Sequence, residues 1–353
     1  MYYIEFGHNW LLYIMAFATS FGISLLLTPW AKIISIKIGA IDKSDKERSM
    51  HKKPIPRCGG IAIFLGFMVT MGILLFFLPE IRTLEFAGFI VGAFIVVVLG
   101  ILDDVHDLPA HLKFAIQIVA ALVVVFTGTR IEFINWPFQE VFETVSVPIT
   151  IFWIVGMTNA VNFIDGVDGL AAGVTTIAVI FLMVLCILTG SPLAVVFAAT
   201  LAGSCLGFLP RNFSPAEVIM GDTGATFLGY ILAVSSIIGV FKGYALFSVL
   251  IIMMAMALPI FDMAFVTLRR LTSGKNPMNA DRGHLHHKLI DLGYSHKQTV
   301  VIMYVISTVC GGIAIIIAVQ DIRILIISLV LLFVLFSIIY AYRKRLGGDS
   351  NGK

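Results

Sequence analysis

The feature that most constrains this chain is a succession of apolar segments, most of them about as long as a lipid bilayer is thick. About 20 apolar residues are needed for one helix to cross the hydrocarbon core. Only 13% of the 353 residues are charged and 59% are hydrophobic, whereas a soluble domain is nearer one quarter charged. Backbone groups in lipid must be satisfied internally, so we predict an all-α, polytopic helical membrane protein.

The apolar segments predict about eleven transmembrane helices within a single integral-membrane domain, 1–353. They lie near 10–30, 58–78, 86–102, 111–127, 145–158, 170–189, 192–209, 223–241, 245–268, 298–319 and 323–341. The loops expected on the cytoplasmic side lie near 31–57, 103–113, 159–169, 210–222 and 269–297. Because loops with an excess of Lys and Arg stay in the cytoplasm, the charges test this arrangement.

Twenty of the 24 Lys and Arg residues fall on one side of the predicted bundle and four on the other. This asymmetry predicts an N-terminus outside and a C-terminus in the cytoplasm. The basic inner face suits anionic lipid head groups and phosphorylated ligands. We expect the lipid bilayer as a partner and no nucleic acid.

Four polar groups of residues interrupt this apolar pattern on the predicted inner side. The first, NAVNFIDGVDGL, places two carboxamides and two carboxylates in one short segment between membrane-type sequences: Asn159, Asn162, Asp165 and Asp168. Ionisable groups at membrane depth are costly unless they face protein, water, metal or substrate. A polar loop that ends a helix is the alternative interpretation.

The second group, LDDVHDLPAHLK, holds adjacent carboxylates at Asp103 and Asp104, then Asp107 and Lys113. Adjacent carboxylates repel each other unless a cation or hydrogen-bond donors compensate. Carboxylates of this kind bind Mg²⁺ together with substrate phosphates. The alternative is a solvated loop.

The third and fourth groups are shorter. MGDTG places Asp222 between two glycines, where it either caps a helix or offers an oxygen at the membrane surface. DRGHLHHKL concentrates Arg282, His284, His286 and His287, which suit a phosphate or nucleotide better than zinc, because no Cys or spaced acid accompanies them. Asp262 also interrupts an apolar segment, and its role stays open between function and pairing.

A basic segment, RSMHKKPIPRCGG, precedes the second predicted span and contains Arg48, His51 and Arg57. Its prolines forbid a continuing helix, and Gly59 and Gly60 permit tight backbone turns. Inner-face positive charge alone is one explanation of this segment. A defined cationic loop that contacts an anionic substrate is the other.

Five motifs in this order resemble the polyprenyl-phosphate N-acetylhexosamine-1-phosphate transferases over nearly the whole chain. They are HKKPIPRCGG, LDDVHDL with Lys113, NAVNFIDGVDGLA, MGDTGATFLG and DRGHLHHKL. The Arg-Gly-His-Leu-His-His form of the last motif looks like the branch that uses UDP-GlcNAc. The related phospho-muramoyl-pentapeptide transferases carry a different histidine run.

The resemblance implies transfer of N-acetylglucosamine 1-phosphate from UDP-GlcNAc to undecaprenyl phosphate, at a site facing the cytoplasm of the plasma membrane. It implies Mg²⁺, with Mn²⁺ as the alternative ion, held by Asn162 and Asp222. Asp103 and Asp104 are the expected catalytic residues, which would orient or deprotonate the lipid phosphate that acts as nucleophile. The residues expected to bind substrate are Arg48, His51, Lys113, Asn159, Asp165, Asp168, Arg282, His284, His286 and His287. The product is expected to start a surface glycopolymer such as wall teichoic acid, and a homodimer is compatible with the sequence.

Three competing interpretations remain at this point. An ion-coupled transporter would place acids near the bilayer midplane and show repeated halves, whereas these acids cluster at span ends. An intramembrane prenyltransferase would carry a second DDxxD motif, whereas this sequence has one. That interpretation also gives the His-rich loop no role. A non-catalytic scaffold would not need so many one-sided polar groups.

Overall fold

The computed structural model describes residues 10–42, 54–131, 139–237, 245–273 and 285–319. Within them the regular elements are α-helices, apart from one antiparallel pair of two-residue strands, β1 and β2, and a single 3₁₀ turn at Pro79–Ile81. The helices are α1 Trp10–Ile38, α2 Gly60–Phe77, α3 Leu84–His106, α4 Ala110–Phe126, α5 Gln139–Ile164, α6 Leu170–Leu188, α7 Pro192–Asn212, α8 Gly221–Ser235, α9 Ala245–Ala255, α10 Ala257–Thr272, α11 Leu285–Asp291 and α12 His296–Val319. The strands are Ile41–Asp42 and Ile55–Pro56.

Seven helices of the described part are long and apolar enough to cross a membrane. An eighth span is present if α9 and α10, which bend by 72° at Met256, count as one. The prediction of an all-α polytopic membrane protein is therefore confirmed. A helix lies at each of the first ten predicted spans, although α4 and α8 have only 17 and 15 residues. The eleventh, near 323–341, lies outside the described residues, and the count and orientation stay predictions.

Helix α8 is the central helix of the bundle, because nearly all of its side chains are buried. It packs against α3 and α5, and less extensively against α2. The Tyr230 hydroxyl donates a hydrogen bond to the Phe89 carbonyl at 2.9 Å, and Phe227 packs edge-on against Phe64. These contacts fix the rotation of α8, and with it the direction in which its first residues point.

Glycines allow the backbone at the start of α8 to lie in direct contact with the backbones of α2 and α3. A Cβ atom at Gly60 would clash with the backbone of Gly224, and one at Gly100 would clash with the backbone of Thr223. Small residues at helix contacts allow this kind of packing in membranes. As a result, the first turn of α8 lies between the start of α2 and the last turns of α3.

The ends of the helices differ from the predicted loops in a way that matters for the site. Helix α3 continues to His106 and α4 begins at Ala110, so Asp103 and Asp104 lie in the last helical turns and not in a loop. Likewise, α5 continues to Ile164 and includes Asn159 and Asn162. The polar side chains are therefore held on rigid helix ends.

Candidate active site

The carboxylate of Asp104 satisfies the first turn of α8. Its oxygens accept hydrogen bonds from the backbone N–H of Asp222 at 3.0 Å, and from the backbone N–H and hydroxyl of Thr223 at 3.1 and 2.7 Å. The first N–H groups of a helix have no partner within that helix, and a carboxylate there is favourable. Asp222 was predicted as an alternative N-cap, but it lies within the first turn, and Asp104 of α3 supplies the capping oxygens.

The side chain of Asp104 is 0% exposed. Its oxygens are engaged by the first turn of α8, and its expected role at the lipid phosphate stays a prediction.

Asp103 and Asp222 are joined by Lys113. The Lys113 ammonium lies 2.8 Å from Asp103 Oδ2 and 3.2 Å from Asp222 Oδ2. Asp103 also accepts a hydrogen bond from the backbone N–H of Leu108 at 2.8 Å, within the short turn between α3 and α4. The side chains of Asp103 and Asp222 are 7% and 17% exposed, and that of Lys113 is 29% exposed. These three predicted residues therefore form one partly accessible ionic group.

Asn162 and Asp165 bring the end of α5 to the same place. The Asn162 side chain hydrogen bonds to the Asp222 carboxylate. Asp165, in the turn after α5, accepts a hydrogen bond from the backbone N–H of Gly221. Removal from water raises the pKa of the Asp165 carboxyl well above its usual value, and the negative charges of Asp222 and Asp104 raise it further.

Arg57 supplies a second cation that the site prediction did not include. Its Nε atom lies 3.7 Å from Asp104 Oδ1, and its Nη1 atom lies 3.7 Å from Asp107 Oδ1. Burial alone would lower the pKa of Arg57, but four carboxylates, those of Asp104, Asp222, Asp42 and Asp107, together outweigh this effect and raise it. Arg57 is thus held as a cation beside the group formed by Lys113.

We define the acidic cluster as Asp103, Asp104, Asp107, Asp165 and Asp222. Within the described part of the chain, Arg57 and Lys113 contact this cluster. Like charges at this separation disfavour ionisation unless further positive charge is present. An additional cation therefore fits the cluster on electrostatic grounds.

The oxygen donors at Asp222 and Asn162 fit Mg²⁺, which binds through one or two carboxylates and keeps waters and substrate phosphates as its other ligands. Among the residues that the structure describes, no group of three or more His, Cys, Asp or Glu side chains is arranged as a ready metal site. The set of protein donors therefore fits an ion whose coordination is completed by a phosphorylated substrate.

Asp168 ties the turn after α5 to the connection between α7 and α8. Its Oδ2 atom accepts a hydrogen bond from the backbone N–H of Ala216 at 3.0 Å. Asn212 connects the same two segments. Its Oδ1 atom accepts a hydrogen bond from the Gly169 N–H, and its Nδ2 atom donates one to the Val218 carbonyl, both at 3.1 Å. The two segments that carry Asp165 and Asp222 are consequently cross-linked by buried side chains.

Other predicted residues lie elsewhere or outside the described part. Asn159 donates a hydrogen bond to Gln117 of α4 at 2.7 Å and another to the Val155 carbonyl, so these contacts are one helical turn before Asn162. His286 and His287 lie in α11, but their side chains lie outside the described structure. The predicted residues that lie wholly outside the described ranges are Arg48, His51, Arg282 and His284.

Sequence reasoning missed several residues that hold this site together. The sequence did offer a signal for Arg57, since this residue belongs to the basic segment before α2. Asn212 and Thr223 had none, because their partners are 43 and 119 residues away in the chain. Gln117 is another such case, as an isolated amide in the apolar sequence of α4.

Comparison with known proteins identifies the family. The model of glycosyl transferase family 4 matches residues 86–240, from α3 through α8. A probable undecaprenyl-phosphate N-acetylglucosaminyl 1-phosphate transferase of Bacillus subtilis is 42% identical over 299 residues, which cover 83% of this chain and 82% of the relative.

Two more distant relatives carry similar names. A decaprenyl-phosphate N-acetylglucosaminephosphotransferase of Mycolicibacterium smegmatis is 33% identical over 80% of this chain and 76% of its own. An undecaprenyl-phosphate alpha-N-acetylglucosaminyl 1-phosphate transferase of Thermotoga maritima is 30% identical over 75% of this chain and 78% of its own. The likeness therefore includes every helix that contributes to the acidic cluster, and the chain belongs to glycosyl transferase family 4, among the polyprenyl-phosphate N-acetylhexosamine-1-phosphate transferases.

Proposed function

We propose that this chain transfers N-acetylglucosamine 1-phosphate from UDP-GlcNAc to undecaprenyl phosphate, releasing UMP and forming undecaprenyl-diphospho-GlcNAc. The observation that carries the proposal is the meeting of α3, α5 and α8 in one acidic cluster bridged by Lys113. The names of relatives in Bacillus and Mycolicibacterium, which specify a polyprenyl phosphate and N-acetylglucosamine, support this pair of substrates.

The phosphate of the lipid acceptor is the nucleophile in this reaction. A phosphate monoester is largely ionised at neutral pH, so it needs orientation and charge neutralisation more than activation. In a single displacement, one of its oxygens attacks the β-phosphorus of UDP-GlcNAc. The bond from that phosphorus to the bridging oxygen breaks, and UMP leaves with the electron pair.

The two protein cations have distinct tasks in this displacement. Lys113, held between Asp103 and Asp222, is placed to meet the acceptor phosphate, and Asp103 orients it. Arg57 adds positive charge near the transferred group, where phosphoryl transfer depends on electrostatic stabilisation. Asp104 keeps the first turn of α8 in place, and through it Asp222.

Mg²⁺ is the proposed cofactor, with Mn²⁺ as the alternative, and Asn162 and Asp222 would hold it. When bound, such an ion neutralises the charge of two phosphates that must approach each other. Asp165 and Asp168 would support the ion or the nucleotide. Arg48, His51, Asn159, Arg282, His284, His286 and His287 stay proposed substrate-binding residues.

We assign the protein to the plasma membrane as a multi-pass enzyme of one domain whose active site faces the cytoplasm. The excess of Lys and Arg on the side of the acidic cluster supports this orientation. The product would be the first membrane intermediate of a surface glycopolymer, for which wall teichoic acid is our candidate. A homodimer is compatible with this assignment.

The test uses the purified full-length protein in detergent with undecaprenyl phosphate, a panel of UDP-sugars, and either MgCl₂ or EDTA. We expect UMP release and lipid-linked GlcNAc from UDP-GlcNAc only, and loss of both with EDTA. Asp222→Asn should abolish the Mg²⁺-dependent turnover. A protein that moves ions or substrate without releasing UMP would instead be a transporter and would refute the proposal.

A further inference from the structure

Asp262 lies in the middle of α10, within the apolar sequence LPIFDMAFV, and the proposed mechanism gives it no role. Its Oδ1 atom accepts a hydrogen bond from the backbone N–H of Leu285 at 3.0 Å. Leu285 is the first residue of α11. A side chain 23 residues earlier in the sequence thus contacts the beginning of the helix that carries His286 and His287.

A second contact repeats this pairing one turn further along both helices. The Lys288 ammonium lies 5.4 Å from the centroid of the Phe265 ring. Residues three apart lie near each other on one helix face, and the pairs 262 with 285 and 265 with 288 advance by three residues on each helix. One face of α10 is therefore in contact with the first turns of α11.

The hydrogen bond answers two physical needs at once. A carboxylate within an apolar helix is costly unless it is hydrogen bonded. The first N–H groups of any helix lack partners within that helix, and negative charge is favourable beside them. The hydrogen bond from the Leu285 N–H serves both needs, so it fixes where α11 begins against α10.

Both α10 and α11 pack against helices that lead to the acidic cluster. Helix α10 packs against α5, the helix that carries Asn162. Helix α11 packs against α12, whose Tyr304 hydroxyl donates a hydrogen bond to the Gly169 carbonyl at 2.5 Å, next to Asp168. The position of α11 is thereby defined relative to the site and not only relative to α10.

We propose that Asp262 is a positioning residue that holds the N-terminal turn of α11 on α10, so that the His286–His287 segment is set for the sugar-nucleotide donor. This inference rests on the proposed function, which assigns that segment to the donor. In this role Asp262 would act on α11 through a backbone contact, as Asp104 does on α8, and not on a reacting group.

The experiment compares Asp262→Leu, which removes the hydrogen-bond acceptor, with Asp262→Asn, which keeps a carbonyl oxygen. The wild type and both full-length variants are purified in detergent, and the KM of each substrate and kcat are measured. We expect Asp262→Leu to raise the KM for UDP-GlcNAc about tenfold, with the KM for undecaprenyl phosphate and kcat within about threefold of wild type. Asp262→Asn should restore a KM within about twofold of wild type, because its amide oxygen still accepts the Leu285 N–H.

Hydrogen exchange read by mass spectrometry supplies a measurement that does not depend on turnover. The peptide covering 285–292 should exchange faster in Asp262→Leu than in wild type and should be unchanged in Asp262→Asn. Asp291→Leu, at the other end of α11, is the matched control, and its KM for the donor should stay at the wild-type value.

Three results would overturn the inference. Faster exchange in α11 without a change in the donor KM would make the bond purely structural. A fall in kcat with both KM values unchanged would make Asp262 part of the chemistry. An Asp262→Asn variant as impaired as Asp262→Leu would mean that the charge, and not the acceptor oxygen, is what matters.

The proposed function can fail separately. If the wild type accepts another donor in the panel, that function is refuted, and the same comparison is then made with the accepted donor. The exchange measurement is unaffected by this change.

Discussion

Two adjacent aspartates at the end of α3 have different surroundings. Both are buried, but Asp103 pairs with the Lys113 ammonium, whereas Asp104 accepts hydrogen bonds from the first turn of α8. Consecutive residues on a helix point about 100° apart, so the two side chains reach different neighbours. Asp103 contacts Lys113 of α4, and Asp104 contacts the first turn of α8.

Arg57 is expected to matter as a charge and as a planar group. Arg57→Gln should lower kcat/KM about 100-fold, because it removes positive charge beside the transferred phosphate and leaves Asp104 and Asp107 without this partner. Arg57→Lys should lose about tenfold, since an ammonium cannot reproduce the fork of donors.

Steady-state kinetics of UMP release check this expectation. Arg82→Gln is the matched control, because the Arg82 guanidinium donates to the Leu75 carbonyl at the opposite end of α2. Equal activity of Arg57→Gln and Arg82→Gln would remove Arg57 from the site.

Asn212 is expected to matter for stability first. Asn212→Ala leaves the Gly169 N–H and the Val218 carbonyl without their buried partner, which should cost about 2–4 kcal/mol of unfolding free energy in total. Thermal unfolding in detergent measures the effect. Gln298→Ala, which removes an exposed amide that accepts from the Ser295 N–H, should cost less than about 1 kcal/mol. Similar losses in both variants would contradict the role assigned to Asn212.

At the scale of elements, the site depends on the placement of α8. Its first three N–H groups are satisfied by Asp165 from the turn after α5 and by Asp104 from α3. Its approach to α2 and α3 is permitted by Gly60 and Gly100. The helix therefore presents Asp222 to Lys113 only while these close contacts are kept.

Gly60→Ala tests this dependence within α2. The added methyl would clash with the Gly224 backbone, so we expect a loss of about 1–3 kcal/mol in stability and at least about tenfold in kcat. Gly72→Ala is the matched control in the same helix, because nothing lies within 4 Å of the added atom.

Unfolding in detergent and UMP release are measured on both glycine variants. Gly72→Ala should remain active and be at least as stable as wild type, because alanine favours helix. An active and stable Gly60→Ala variant would show that α8 tolerates displacement.

At the scale of the molecule, the orientation in the membrane is open to direct measurement. Lys37 lies at the end of α1 next to the strand pair, and Glu80 lies beyond the opposite end of α2; both are exposed. If the acidic cluster faces the cytoplasm, a membrane-impermeant maleimide added to intact cells should label Glu80→Cys. Lys37→Cys should be labelled only after permeabilisation, and the unsubstituted chain gives the background. The reverse pattern would invert the proposed topology.

The sequence by itself determined the class of fold and the family of this protein. Apolar segments of membrane length leave the backbone no alternative to helices, and helices of the described structure lie at ten of the predicted spans. Motif order was sufficient to indicate the family, because chemistry that joins two phosphates needs several carboxylates, amides and cations. It also brought Asp103, Lys113, Asn162, Asp165 and Asp222 into one predicted site, and these do lie together.

Only the tertiary structure decided which partners each of these groups contacts. The enclosure of Asp104, the cross-link through Asn212 and the contact of Asp262 with α11 join residues 23 to 119 positions apart. Sequence periodicity describes the faces of one helix and not its rotation against its neighbours. That rotation is set here by glycines and buried rings between helices, and it determines which carboxylate pairs with Lys113 and which one holds the backbone of α8.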